Sequence, residues 1–421
     1  MSEMSLFPRN STVDADGVLS IGGVSVPALV AEYGTPLFIY DEDHMRDTCK
    51  EAVAAFGSDN VIYATKAFLC VAMARLAYEE GLLLDVATGG ELFVALTAGV
   101  PASSCVLHGN NKSDDELRTA LQEGVRHIVV DSFDEIERIE RLVSAGLPAP
   151  RVQLRITPGV HVHTHEYVST GQDDSKFGFN LNNGDAHRAV ERARGSSAME
   201  LVGIHCHIGS NVVDVDNFED AWNVMIDLFL PLDLPEITMG GGLGVAYTTR
   251  ETAPTMQKWA SVLARVTTRL PATTKVYVEP GRSIVAAAGV TAYSVGTVKD
   301  IDGIRRYVSV DGGMSDNPRP MMYGSEYEVF DPRNMHAPRT SSARIVGKHC
   351  ESGDILILDA QVTPDIAVGD VVVMAVTGAY GYSMASNYNK VPRPAVVFVR
   401  QGQSRLVVRR ETLEDLVRLD Q

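Results

Sequence analysis

The sequence predicts a mixed α/β protein: a TIM-type (β/α)8 barrel joined to a separate all-β domain of sandwich or barrel-like form. Three observations carry this expectation. From about residue 60 to residue 281, short apolar runs alternate with amphipathic helical stretches, and counting them gives eight strand–helix units, the number that closes a barrel. The runs are almost continuously apolar, as strands covered on both faces must be. After about residue 290 the texture changes to β-branched runs with turns, and no regular helical stretch separates most of them. An open doubly wound sheet competes for the first part, because periodicity does not report closure.

The expected organisation is an N-terminal segment over 1–40 packing with the β domain, a barrel over 41–290, and a C-terminal β domain over 291–421. The polar start leads into LSIGGVSVPALVAEYG, where Gly22-Gly23 marks a hairpin turn. PLFIYD at 36–41 reads as a strand and 43–56 as a helix. The barrel strands are then NVIYATK, LLLDVAT, SCVLHG, HIVVDS, VQLRITP, VGIHCHIG, EITMGGG and KVYVEPG. Helical stretches fall at 69–80, 90–99, 113–123, 133–145, 184–194, 216–229 and 256–270. Ser113-Asp114-Asp115-Glu116 has the hydroxyl and acidic residues of a helix N-terminus. A short helix near 411–419 ends the chain.

Composition removes several classes of function. A net charge of −17, from 37 basic and 54 acidic residues, argues against nucleic acid or an anionic membrane as partner. No apolar run approaches membrane-spanning length, and MSEMSLFPRN lacks the apolar core of a signal peptide. Five scattered cysteines, odd in number and without a CxxC pair, fit a reducing cytoplasm and argue against a structural zinc site.

The chemistry gathers at the strand ends, where a barrel of this kind places its active site. Read in order, those ends carry Lys66, Asp85, His108, Asp131, Arg155, His205 with His207, Gly240-Gly241-Gly242, and Glu279 with Arg282. Lys66 closes the run Val61-Ile62-Tyr63-Ala64, and an ammonium resists burial there unless a carboxylate pairs with it or a carbonyl turns it into an imine. Taken alone, the stretch fits a snorkelling lysine better. GGGLG at 240–244 offers bare backbone N–H groups to a phosphate, although taken alone it fits a simple turn better. HIGS at 207–210 adds an imidazole and a hydroxyl. EPGR at 279–282 sets a carboxylate, a tight turn and a guanidinium suited to phosphate or carboxylate, with a surface ion pair as the plain alternative.

In the β domain, VDGGMSDNPRPMMY (310–323), HCESGD (349–354) and GAYGYSMASNYN (378–389) are too polar and irregular for sheet alone. Cys350 stands beside Glu351 in a turn-prone loop, where a buried small hydrophobe and an acid are equally open readings. Arg319 is flanked by two prolines, which are expected to hold its backbone in an extended path.

Together these motifs resemble the diaminopimelate decarboxylase family, within the alanine-racemase-like group of pyridoxal 5'-phosphate (PLP) barrels that also holds eukaryotic-type ornithine decarboxylases. The likeness spans nearly the whole chain, including LFPRNSTVDADGVLSIGG and THEYVSTGQDDSKFGF (164–179). It implies Lys66 as the cofactor's covalent anchor, His207 stacked on the ring, and Glu279 facing the ring nitrogen. It places Ser210, Gly241, Gly242, Gly281 and Arg282 around the phosphate. Arg282, Arg319, Tyr323 and Glu351 would hold the charged groups of the substrate, and Tyr380 would touch both cofactor and substrate. Cys350 would be the proton donor, supplied by the second subunit of a homodimer with shared active sites. Asp85, Glu91 and Arg155 would support the site, and no metal is expected. Two departures stand out: Asn211 where the family usually has Gln, and Gly381 where a cysteine commonly follows GAY.

The resemblance implies decarboxylation of meso-2,6-diaminopimelate to L-lysine and CO2. Arg319 and Glu351 are the complementary charges for the substrate's distal carboxylate and ammonium, whereas an arginine aimed at the lone distal ammonium of ornithine would repel it. The alternatives are a decarboxylase acting on ornithine, lysine or carboxynorspermidine, a racemase, and a non-catalytic regulator. Glu279 argues against the racemase, and the presence of Lys66 and Cys350 against the regulator.

Overall fold

A computed structural model describes residues 3–160 and 174–421. The part of the 164–179 stretch up to residue 173 lies outside the described residues. The chain divides into two compact units: Thr48–Gly244 with Ala253–Ser283, and Met1–Asp47 with Val245–Thr252 and Ile284–Gln421.

The first unit is a parallel barrel. Its strands are β1 (Ile62–Ala64), β2 (Leu83–Val86), β3 (Cys105–Leu107), β4 (His127–Val130), β5 (Arg151–Thr157), β6 (Glu200–His205), β7 (Glu236–Thr238) and β8 (Lys275–Tyr277), each paired with the next in chain order. A parallel bridge between Val61 and Val278 closes β8 onto β1. Closure therefore answers the open-sheet alternative. Ile62, Leu83, Val106, Val129 and Tyr277 form one apolar cluster of the core and are buried to within a few per cent. Helices Gly89–Thr97, Asp114–Glu123, Phe133–Ser144 and Met256–Thr267 each start where the hydroxyl of Thr88, Ser113, Ser132 or Thr255 accepts a backbone N–H in the first turn. Ser113 and Glu116 complete a reciprocal capping box, as the sequence suggests.

In the second unit the strand Leu37–Asp41 is central and wholly buried. It pairs antiparallel with Gly289–Ile301 and parallel with Ala395–Arg400. The sheet continues outward through Arg305–Val310, Ser341–Val346 and Ile355–Val362 on one side and Gln403–Val408 on the other. Strands Leu19–Ile21 and Val24–Ser25 form the expected hairpin, with Gly22 (φ 57°) and Gly23 (φ 84°) both left-handed as a two-residue turn requires. The helix Val26–Tyr33 that follows is not anticipated by periodicity. Its signals are local: a Ser25 side chain accepting the Ala28 N–H, and a proline in the first turn.

Two expectations are corrected. Arg319 does not lie on an extended path: it opens the short helix Arg319–Tyr323 and is buried. Pro320 sits at the start of that helix, where a missing N–H costs nothing. The helix expected near 411–419 is a single 3₁₀ turn at Asp415–Val417. Leu413, Val417 and Leu419 are 70%, 55% and 80% exposed, so no buried apolar face supports a longer helix. Among the described residues no helix is long and apolar enough to cross a membrane.

Candidate active site

The barrel brings its expected residues to the C-terminal ends of the strands. Lys66 follows β1 in a one-turn 3₁₀ helix, Thr65–Ala67, and is exposed. The turn is pinned on both sides: the Thr65 hydroxyl donates to the Asp85 carbonyl at 2.6 Å, and the Tyr63 hydroxyl to that of Phe68 at 2.8 Å. Glu91 is tied to the end of β2 by accepting the Ala87 N–H at 2.6 Å, and burial pushes its carboxyl above the usual range.

Glu279, after β8, is the electrostatic centre. His205 Nε2 lies 2.8 Å from its Oε2 and His108 Nε2 3.1 Å from its Oε1. Burial alone would raise this carboxyl, but the two imidazoles hold it well below the usual carboxylate range. Burial also lowers His205, while the Glu279 charge beside it acts in the opposite sense, so the pair shares its charge across the 2.8 Å contact. Glu279 Oε1 still makes no well-directed hydrogen bond, nor do the buried Asp85 Oδ1 and His108 Nε2. The donor atoms of His108, His205 and Glu279 lie within 4.8 Å of one another, a spacing that a metal ion would also accept.

His207 accepts the Gly241 N–H on Nδ1 at 3.3 Å, and burial, with Lys66 and Arg155 adding to it, pushes its pKa well down, so the ring is neutral. The glycines are required by close backbone approach. A Cβ on Gly241 would stand 1.9 Å from the Glu279 carbonyl oxygen, and one on Gly242 2.2 Å from that of Gly209. These clashes seat the loop after β7 between its two neighbours. Gly281 is similarly packed, its Cβ position 2.9 Å from that of Ala64, which brings the Glu279–Arg282 turn against the lysine strand. Arg282 is buried, while Ser210 is half-buried. Asn211 adopts a left-handed φ of 57°, a conformation that asparagine tolerates better than most residues. Arg155 lies beside Asp131 at 3.9 Å and over the Phe177 ring at 4.3 Å.

These residues fit pyridoxal phosphate on their own chemistry. An ionised, buried carboxylate with an unmet oxygen suits a protonated ring nitrogen, and an accessible lysine amine suits its aldehyde.

The second unit holds the remaining candidates. Arg319 is 5% exposed, its guanidinium over the Tyr247 ring at 4.4 Å and the Tyr327 ring at 5.6 Å, and it donates a hydrogen bond to the Tyr327 hydroxyl. Tyr323 ends its helix and is half-buried. Tyr380 is half-buried with a left-handed φ of 59°. Cys350 and Glu351 are exposed, so the buried-hydrophobe reading of the cysteine does not hold. Their loop is fixed by Asp354, which accepts the backbone and ring N–H groups of His349 at 2.9 and 2.8 Å and the Met314 N–H at 2.7 Å. The Cys350 N–H donates to Asn389 Oδ1 at 2.8 Å, and the His349 ring stacks on Tyr388.

Sequence reasoning placed His108 and His205 at strand ends without seeing that both serve Glu279. It missed Asp354, Tyr247 and Tyr327. The only local signal for Asp354 was its place at the end of HCESGD, and neither tyrosine had one.

Residues 42–286 match the model of a pyridoxal-dependent decarboxylase, pyridoxal binding domain. The chain is 47% identical over 437 residues to a diaminopimelate decarboxylase of Mycobacterium bovis, covering 99% of this chain and 98% of that one. It is 45% identical over 426 residues to the Bacillus subtilis diaminopimelate decarboxylase, covering 96% and 95%. A crystal structure of the M. jannaschii diaminopimelate decarboxylase in complex with L-lysine is similar with a TM-score of 0.91 at 30% identity, over 98% of both chains. The chain belongs to the pyridoxal-dependent decarboxylases and, within them, to the diaminopimelate decarboxylase family.

Proposed function

We propose that this chain decarboxylates meso-2,6-diaminopimelate to L-lysine and CO2, acting in the cytoplasm as a homodimer whose active sites are shared between subunits. One observation carries the choice of substrate. Arg319 is a buried guanidinium with no carboxylate within ion-pair distance among the described residues. A buried cation without an anion is unfavourable until a ligand supplies one. As a substrate, diaminopimelate brings a carboxylate at the end remote from the reacting carbon, and its product L-lysine keeps that carboxylate, whereas ornithine or lysine entering as a substrate offers only an ammonium there.

The cofactor, when bound, supplies an electron sink for the pair left behind as CO2 departs. Lys66 would be its covalent anchor. Glu279, kept ionised by His205 and His108, would face the ring nitrogen and favour its protonated form. His207 presents a neutral face to the ring. Ser210, Gly241, Gly242 and Gly281, with the Arg282 guanidinium, would surround the phosphate. Arg282, Arg319, Tyr323 and Glu351 would bind the charged groups of the substrate, and Tyr380 would touch both cofactor and substrate. The bond between the α-carbon and its carboxylate breaks, and Cys350 Sγ of the second subunit then delivers a proton to that carbon.

The test is CO2 release by PLP-loaded protein offered meso-diaminopimelate, ornithine and lysine in parallel. Release from diaminopimelate with lysine appearing, abolished in Cys350→Ala, is the expected result. Preference for ornithine or lysine would overturn the substrate assignment.

A further inference from the structure

Arg319 is held by aromatic faces, and this defines a role for two tyrosines outside the motifs. Tyr247 and Tyr327 are 4% and 3% exposed, and their rings meet edge to face at 5.4 Å. The guanidinium carbon of Arg319 stands 4.4 Å from the Tyr247 centroid and 5.6 Å from that of Tyr327. One N–H donates to the Tyr327 hydroxyl, and the other donors make no hydrogen bond to a described side chain. Tyr247 lies on Val245–Thr252, the excursion that leaves the barrel sequence just after GGGLG to pack within the β unit. The segment is fastened there by the Thr249 N–H and hydroxyl, which both donate to Glu328 Oε1 at 2.6 and 2.7 Å.

A ring quadrupole attracts a cation without neutralising its charge, and a phenol oxygen accepts one hydrogen bond without competing as a carboxylate would. Such a cage therefore offsets the cost of burying the guanidinium, fixes the plane of its fork, and leaves its full charge for an incoming anion. An aspartate or glutamate in the same place would consume that charge.

We propose that Tyr247 and Tyr327 are positioning residues that orient Arg319 toward the distal carboxylate of the substrate and so set selectivity for ligands that carry one. This rests on the reading of Arg319 given above. It does not involve the reacting carbon, so loss of the cage weakens binding of ground and transition states alike and appears in KM more than in kcat.

The experiment uses PLP-loaded enzyme and two competing inhibitors: L-lysine, which keeps the carboxylate, and 1,5-diaminopentane, the same skeleton without it. Tyr247→Leu is expected to raise the KM for meso-diaminopimelate and the Ki of L-lysine about 10-fold, as loss of one desolvated cation–π contact implies. Its kcat stays within about 3-fold and its Ki for 1,5-diaminopentane is unchanged. Tyr247→Phe, which keeps the ring face, restores both constants. Tyr327→Phe removes only the hydroxyl and raises the same two constants by about 3-fold or more, as one lost hydrogen bond implies, and it serves as the test should Tyr247→Leu not fold. Equal weakening of both inhibitors, or no change in either, overturns the proposal. Wild-type enzyme that releases no CO2 from meso-diaminopimelate would sink the underlying reading instead, which keeps the two failures apart.

Discussion

The two ends of the barrel are built from the same residue types and are put to different uses. At the N-terminal end, the first residues of β4, β5 and β7 bring together His127, Arg151 and Glu236. Both oxygens of Glu236 accept hydrogen bonds: Oε1 from Arg151 at 2.9 Å and Oε2 from Gln153 at 3.4 Å, with His127 Nε2 at 2.9 Å. Thr238 donates to Gln153 Oε1 and extends the network. At the C-terminal end, Glu279 also has two histidines, but one of its oxygens makes no well-directed hydrogen bond, and Lys66 at the end of β1 is exposed. A carboxylate whose partners are all internal can only stabilise, whereas one with capacity left over can act on something that arrives. The contrast agrees with the general division of labour in such barrels, chemistry at one end and stability at the other.

The largest effect expected belongs to the open end. Lys66→Ala should reduce CO2 release from meso-diaminopimelate by at least about 10³-fold, while the melting temperature of the cofactor-free protein stays within a few degrees of wild type. A matching fall in stability would mean that the lysine is structural and that the two ends are alike. Cys350→Ala should cost about 10²–10⁴-fold in turnover, the usual scale for a removed proton donor, with far-ultraviolet circular dichroism unchanged because the side chain is exposed.

Smaller effects sharpen the comparison from the stability side. Asp354→Asn weakens the acceptor that three N–H groups share and should cost about 1–3 kcal/mol. It should also change the rate at which iodoacetamide alkylates Cys350, since the loop that carries the thiol is loosened. An unaltered rate would show that the loop is held by other contacts. The closed end sets a pH window. Burial alone would raise Glu236, but His127 and Arg151 bring it from 4.5 down to about 2. A carboxyl depressed in the folded state contributes stability that is full above its unfolded value and is lost as pH falls toward 2. Chemical denaturation between pH 5 and pH 2 should show this loss in wild type, and a smaller acid dependence in Glu236→Gln.

How much of this could be read from the chain alone follows the same division between local and distant. The barrel strands announce themselves through apolar runs of a few residues, and the polar residue ending each run marks the open face. The partners of those residues are not local. Glu236 meets Gln153 and Arg151 across more than eighty residues of sequence, and Glu279 meets His205 across seventy-four. Periodicity carries no information at that separation. Arg319 shows the same limit at short range: two prolines suggested an extended path, yet one of them occupies the first turn of a helix, where its missing N–H is harmless. Tyr247 was unreadable because its segment lies inside the barrel sequence while packing within the β unit. The resemblance to a known family implied what periodicity could not, namely the roles proposed for Lys66, Cys350 and Arg319, but it offered nothing for the tyrosine cage or for Asp354.

The most direct test of the account replaces the two glutamates in parallel and measures turnover and melting for each. Glu279→Gln should lose about 10²-fold or more in kcat and little stability, because its carboxylate charge serves the reaction. Glu236→Gln should keep kcat within about 2-fold and lose about 1–3 kcal/mol, seen as a lower melting temperature. Both variants losing turnover together, or both losing only stability, would contradict the claim that one end of this barrel reacts while the other holds it shut.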